Sequence, residues 1–214
     1  MARARRMTVN DWRQGYGVVD PSNKEVITGA IWQRLVYTSG TTLKLDFFNT
    51  IPALITDGNQ EAITLPNGWS HLVQAIRIIL AVDTTESALA APAASVMEAA
   101  VQDIIKLSYK GTAEIFVGSK SYGRWPITNL PAGCGPAGGI AVASGATANT
   151  FAQYSFGTNG YPDIRAVYSL GIPFVIPPLY NYRVHLEWSA AQTLQAGNTD
   201  IIVMLDGETM RPRQ

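Results

Sequence analysis

The chain of 214 residues has one cysteine, two histidines and few charges. A single cysteine, Cys134, excludes both an intrachain disulfide framework and a multi-cysteine zinc site within one subunit, and favours folding inside a cell. The two histidines, His71 and His185, lie far apart in strand-like runs, outside any metal-ligand spacing. Nucleophile and phosphate motifs are missing too. There is no Gly-x-Ser-x-Gly, and the glycines around Cys134 lack the Lys-Ser/Thr of a phosphate loop. Asp206-Gly207-Glu208 lacks the other spaced carboxylates of a calcium loop and is expected to be a turn. No catalytic residue, metal or cofactor is therefore expected, and the chain is not predicted to be an enzyme.

Charge is the next shortage. Only 15% of residues are charged, against about 25% in ordinary soluble domains, while 47% are hydrophobic. The 16 basic and 16 acidic residues cancel, which is unlike a general nucleic-acid binder and gives little protection against self-association. A weakly charged surface rich in Thr, Asn and aromatics suits contact with other proteins. The basic start of the chain runs into polar sequence with no apolar segment after it, so it predicts no export signal. Residues 131–148 carry no charge but are too small-sided for a membrane span.

What charge there is has one local concentration. Arg3, Arg5, Arg6 and Arg13 stand against Asp11 alone in the first 13 residues. These four arginines are the candidate contacts to phosphate, whether of a genome or of lipid head groups, on an arm or irregular lead-in spanning residues 1–30.

From residue 31 onward the pattern is mainly β, and 31–214 reads as one domain. Residues 34–37 and 42–47 predict a hairpin joined by Thr38–Thr41. Residues 69–80 predict a strand with a polar exit at 83–85. A helical insertion is expected at about 86–107, with Ser95 and Glu98 as a capping box and Met97, Ala100, Val101, Ile104 and Ile105 on one face. Residues 112–117 are a strand, 121–130 an extended stretch, and the Gly/Ala-rich 131–148 a surface loop or a segment ordered by a neighbour. Prolines 173, 177 and 178 place Phe174–Ile176 on a sheet edge or at a switch between sheets. In 182–188, Tyr182, Val184, Leu186 and Trp188 alternate with Arg183, His185 and Glu187; His185 is expected on the polar face. Residues 199–205 read as a strand covered on both faces, ended by a turn at Asp206-Gly207. Eight or nine short strands, inserted helix and long loops point to an antiparallel sandwich of Greek-key or jelly-roll type.

Several stretches together carry a resemblance: Arg34 to Asn49, Leu65 to Gly68 leading to Leu72 to Arg77, Val117 to Tyr122, Ile176 to Tyr180, and Leu205 to Gln214. In these the chain resembles the jelly-roll capsid proteins of icosahedral bacteriophages. The resemblance implies a structural protein of the virion, made in the host cytoplasm. It also implies association with copies of itself, commonly as trimers, and with other virion proteins, and an N-terminal arm turned to the genome or an internal membrane. The length fits a single jelly roll and is short for a fused double one. A second reading is a carbohydrate- or receptor-binding β-sandwich of a virion spike or decoration protein. Its candidate stacking platforms are Trp125, Tyr154, Tyr161 and Trp188, although alternation turns Trp188 inward.

Overall fold

The computed structural model describes residues 24–60, 62–89, 94–133, 135, 137–144, 151–160, 167 and 169–213. In chain order the elements are β1 (Lys24–Tyr37), β2 (Lys44–Phe47), β3 (Ser70–Leu89), α1 (Ala94–Lys110), β4 (Gly111–Val117) and β5 (Lys120–Pro126). A short 3-10 turn (Ile127–Asn129) follows, then β6 (Ala137–Ser144), β7 (Phe151–Thr158), β8 (Ser169–Ile176), β9 (Tyr182–Trp188) and β10 (Thr199–Pro212). The fold is mainly β, in two antiparallel sheets. One has six strands in the order β1-β10-β3-β7-β6, with β8 also pairing β3; the other has four, β2-β9-β4-β5.

The pairing is nested. β4 and β5 form the innermost hairpin, whose two-residue turn begins at Gly118 (φ 61°), the position where a type II′ turn favours glycine. Outside it β3 pairs β8, β2 pairs β9, and β1 pairs β10. Successive pairs fall in opposite sheets, and the contacts β10–β3 and β9–β4 complete each sheet. The β6–β7 hairpin is inserted between β5 and β8 and extends the far half of β3; α1 is inserted between β3 and β4.

The core lies between the sheets. In β9, Tyr182, Val184, Leu186 and Trp188 are buried, and the residues between them face outward, as their alternation predicts. They meet Ile201, Val203 and Leu205 of β10 and Ile76, Ile78 and Leu80 of β3, each large side chain contributing roughly 1.5–3 kcal/mol by leaving water. From α1, Ala100, Ile104 and Leu107 join this core. Trp188 Nε1–H donates to the Leu107 carbonyl (3.0 Å), and its ring stands edge-on to Tyr37 at 4.8 Å. Buried Asp103 accepts the backbone N–H groups of Gln195 (3.0 Å) and Ala196 (2.7 Å), fastening the β9–β10 connection to the helix.

Several boundaries differ from expectation. Residues 24–30, expected in the lead-in, are the first half of β1, because Lys24–Ala30 pair with Asp206–Pro212. β1 and β2 are not a hairpin: the turn after Tyr37, closed by Thr42 N–H to the Thr38 carbonyl (3.1 Å), carries the chain from one sheet to the other. β3 runs on to Leu89, so residues 86–89 are strand and the helix begins at Ala94 and ends at Lys110. Val101 is half-buried and Ile105 exposed on α1; the side chains of Ser95, Met97 and Glu98 lie outside the described ones. Residues 120–126 are a true strand. Within 131–148, residues 137–144 are strand β6, ordered by β7 of the same chain instead of by a neighbour. β8 pairs only β3 among the described residues, the edge position expected from Pro173.

The largest correction concerns Asp206-Gly207, which is mid-strand. β10 continues to Pro212, and the register with β3 shifts there by one residue, Gln74 being the extra one between Val73 and Ala75. A Cβ on Gly207 would lie 1.7 Å from the Leu72 carbonyl oxygen. Glycine here permits a close backbone approach and not a chain reversal.

Candidate interaction surfaces

The four candidate phosphate contacts, Arg3, Arg5, Arg6 and Arg13, lie outside the described residues, as do Cys134, Tyr161 and the side chain of Tyr154. Of the other candidate platforms, Trp188 is core and Trp125 is half-buried against it. Neither stands as an open aromatic surface. No group of three or more His, Cys, Asp or Glu able to hold a metal occurs among the described residues.

Both histidines are tied into the sheets. His71 is fully buried on the inner face of β3. Its Nε2 lies 3.1 Å from the Leu205 carbonyl, which requires Nε2–H, and its Nδ1 lies 2.8 Å from Thr209 Oγ1, which therefore donates. The ring thus spans the register shift, from Thr209 on one side to Leu205 on the other. Burial is the main reason its pKa is lowered to about 4. His185 is half-buried on the outward face of β9, where its Nδ1 meets Asp46 at 2.7 Å.

The outward faces of the two sheets are unlike. On the four-stranded sheet, register lines up Asp46, His185, Glu114 and Arg124 across all four strands. Glu114 accepts from Ser121 Oγ (2.7 Å) and from Arg124 Nε (3.0 Å) and Nη2 (2.5 Å), and these bonds hold its carboxyl below the usual range, the Ser121 bond contributing most. Arg183 lies over the Phe116 ring at 4.7 Å. This face is a wetted ladder of charges that satisfy one another.

On the six-stranded sheet, apolar side chains stand among charged ones at the outward positions of β1, β10 and β3. Trp32 of β1 pairs with Met204 of β10, and Ile202 of β10 with Ile79 of β3, with Val36 half exposed beside them. These side chains alternate with the core-facing ones and are not packed into the core. Hence β10, expected to be covered on both faces, has one buried face and one largely half-buried face on which Ile202 and Met204 stand between Asp200 and Asp206. The charges on this side are paired: Arg34 with Asp57 (2.6 Å) and Asp200 (3.3 Å), and Arg77 with Asp206. The free edge of β1 is closed by residues 57–59. Arg34 N–H donates to the Asp57 carbonyl (2.7 Å), and Asn59 clamps β1 by accepting from Trp32 N–H (2.8 Å) and donating to the Ala30 carbonyl (2.7 Å). Residues 57–59 therefore block strand addition along Ala30–Arg34 of that edge. Beside it, Ile51, Leu54 and Ile55 are exposed, Ile55 at 90%.

These apolar outward residues were missed in the sequence because an apolar residue on a central strand reads the same whether it faces core or solvent. Comparison of the chain with protein-family models, with curated proteins and with solved structures finds no match in any of the three.

Proposed function

We propose that this chain is a structural subunit that assembles with copies of itself, as a single jelly-roll capsid protein of the icosahedral bacteriophage kind. The observation that carries the reading is the half-buried apolar outward face of the six-stranded sheet around Trp32, Ile202 and Met204, set beside a blocked strand edge. An apolar patch of this kind marks an interaction surface. The partner is a second copy: the chain is neutral overall, and the face carries both Arg34 and Arg77 and both Asp200 and Asp206, so copies do not repel. The nested pairing supports the jelly-roll reading. With the β6–β7 insertion set aside, eight strands remain in the orders first-eighth-third-sixth and second-seventh-fourth-fifth, the arrangement of two wrapped Greek keys. Fold alone is only an analogy for function, since the same roll serves lectins and cupins. In this reading the basic arm carrying Arg3, Arg5, Arg6 and Arg13 faces genome or lipid phosphates inside the virion.

Light scattering and electron microscopy of the purified protein test the proposal. Trimers or shell fragments are expected. Ile202→Lys should weaken association at least a hundredfold, by placing an unpaired charge in the contact. Thr112→Lys, on the outward side of the other sheet, should leave it unchanged. A strict monomer at high concentration, or equal effects of the two substitutions, contradicts the assignment.

A further inference from the structure

Between β1 and β10 of one sheet, Tyr182 of the other, and the segment from Asn59 to Trp69 lies a cavity of about 280 Å³. Its described lining has no Asp, Glu, Lys, Arg or His. Ile27, Ile31 and Leu65 supply apolar walls, and Trp69 a flat one, its indole anchored under the Arg211 guanidinium at 5.6 Å. Gly29 is part of the floor. A Cβ there would meet nothing within 4 Å, so a larger side chain at this position would project into open space.

The polar side chains in the described lining are Asn59, Gln60, Thr64, Tyr182 and Thr209, and Gln60 Oε1 is buried without a hydrogen-bond partner among the described residues. The Thr209 hydroxyl spends its hydrogen on His71 Nδ1 and has lone pairs left. Tyr182 is 97% buried, with its ring against Phe48 at 5.5 Å. Burial raises its hydroxyl pKa, and the hydroxyl has no hydrogen-bond partner among the described residues. The wall behind it is fixed. Phe48 sits at φ 65° with its N–H on Gln33 Oε1 and its carbonyl on Gln60 Nε2 (3.2 Å).

We infer that this cavity is a binding site for a small, uncharged, largely apolar alcohol, with its apolar body against Trp69, Ile27 and Ile31 and its hydroxyl at Tyr182 and Thr209. A hydroxyl both accepts and donates, and so answers a free donor and a set of lone pairs together. A carboxylate would bring a charge into a described lining that holds no cation. A pocket slightly below the usual range of about 300–1,000 Å³ limits the ligand to small molecules. The inference is independent of whether the chain assembles.

Benzyl alcohol is the probe, with toluene and benzoate as comparators, titrated into the full chain by calorimetry and tryptophan fluorescence. Saturable binding of benzyl alcohol is expected, with benzoate at least tenfold weaker. Tyr182→Phe should weaken benzyl alcohol about fivefold, the loss of one neutral hydrogen bond, and leave toluene unchanged. Gly29→Leu should abolish binding of both by filling the floor. If that variant does not fold, Ala62→Phe fills the cavity from its other wall. No saturable binding by the native chain, or undiminished binding in the folded filled variant, overturns the inference.

Discussion

The two sheets of this sandwich share one core but follow opposite rules on their outer sides. The four-stranded sheet is short and wet outside, with a cross-strand charge ladder. The six-stranded sheet is long, irregular at its centre and, on β1, β10 and β3, carries apolar side chains outward between paired charges. On the outward side beyond its bulge, Leu72 and Met210 are buried with Val26 and Val175 against them. A sheet with one wetted face is complete as a layer of a sandwich. A sheet that also carries apolar side chains outward is complete only when something covers them. Under the proposed assembly, the contrast gives contact between subunits to one sheet and solvent to the other.

The strongest way to break the contrast is at the irregular centre of the long sheet. Gly207→Ala places a methyl group where the Leu72 carbonyl oxygen now stands, 1.7 Å from the new Cβ. The strands must move apart or the bulge must re-register, and a one-residue slip exchanges inner and outer side chains over the rest of the pairing. The expected cost exceeds about 3 kcal/mol, read as a fall in the urea midpoint. A variant as stable as the native chain means that the close approach at Gly207 is not what fixes the register.

The same contrast decides what can be read from the sequence. β9 was legible to the residue, because a strand with one wet face alternates, and Tyr182 to Trp188 alternate without exception. β10 was legible as a strand but misread at Gly207, because glycine in a long run reads as a turn unless the neighbouring strand's bulge is known. β6 reads in the sequence as a loop or a segment ordered by a neighbour, since its Gly and Ala residues carry little strand signal; its place follows from pairing with β7. The hairpin expected after Tyr37 failed for a different reason. Adjacent strands in a rolled fold go to opposite sheets, and a short Gly-containing turn serves that crossing as well as it serves a hairpin. The cavity was invisible because its lining comes from four separated parts of the chain.

Acid should separate the sheets as well. His71 is held neutral by burial in the long sheet, with its pKa lowered to about 4 from 6.5. The unfolded chain therefore binds a proton that the folded chain refuses between those values, and stability falls as pH drops from about 6.5 to about 4. The full loss is about 3 kcal/mol. Urea midpoints at a series of pH values should show this slope, and the His71 ring should titrate near pH 4 by NMR. Titration of the folded ring near 6.5 contradicts the role given to it across the bulge.

The charge ladder of the short sheet should respond later and far less. Glu114 has a lowered pKa, so its contribution is present above about 4.5, the value of an unconstrained carboxyl, and is lost only as pH falls through the lower folded value. The pair with Arg124 is solvent-screened, and exposed pairs of this kind add little to stability. Arg124→Ala should therefore raise the Glu114 pKa only part of the way to its ordinary value, since the Ser121 bond remains, and leave the melting temperature where it was. Carbon-13 NMR of the Glu114 carboxyl and a thermal melt read the two effects separately. If the melting temperature falls by several degrees, the ladder is holding the short sheet together instead of only wetting it. The outer sides of the two sheets would then differ in chemistry but not in their part in stability.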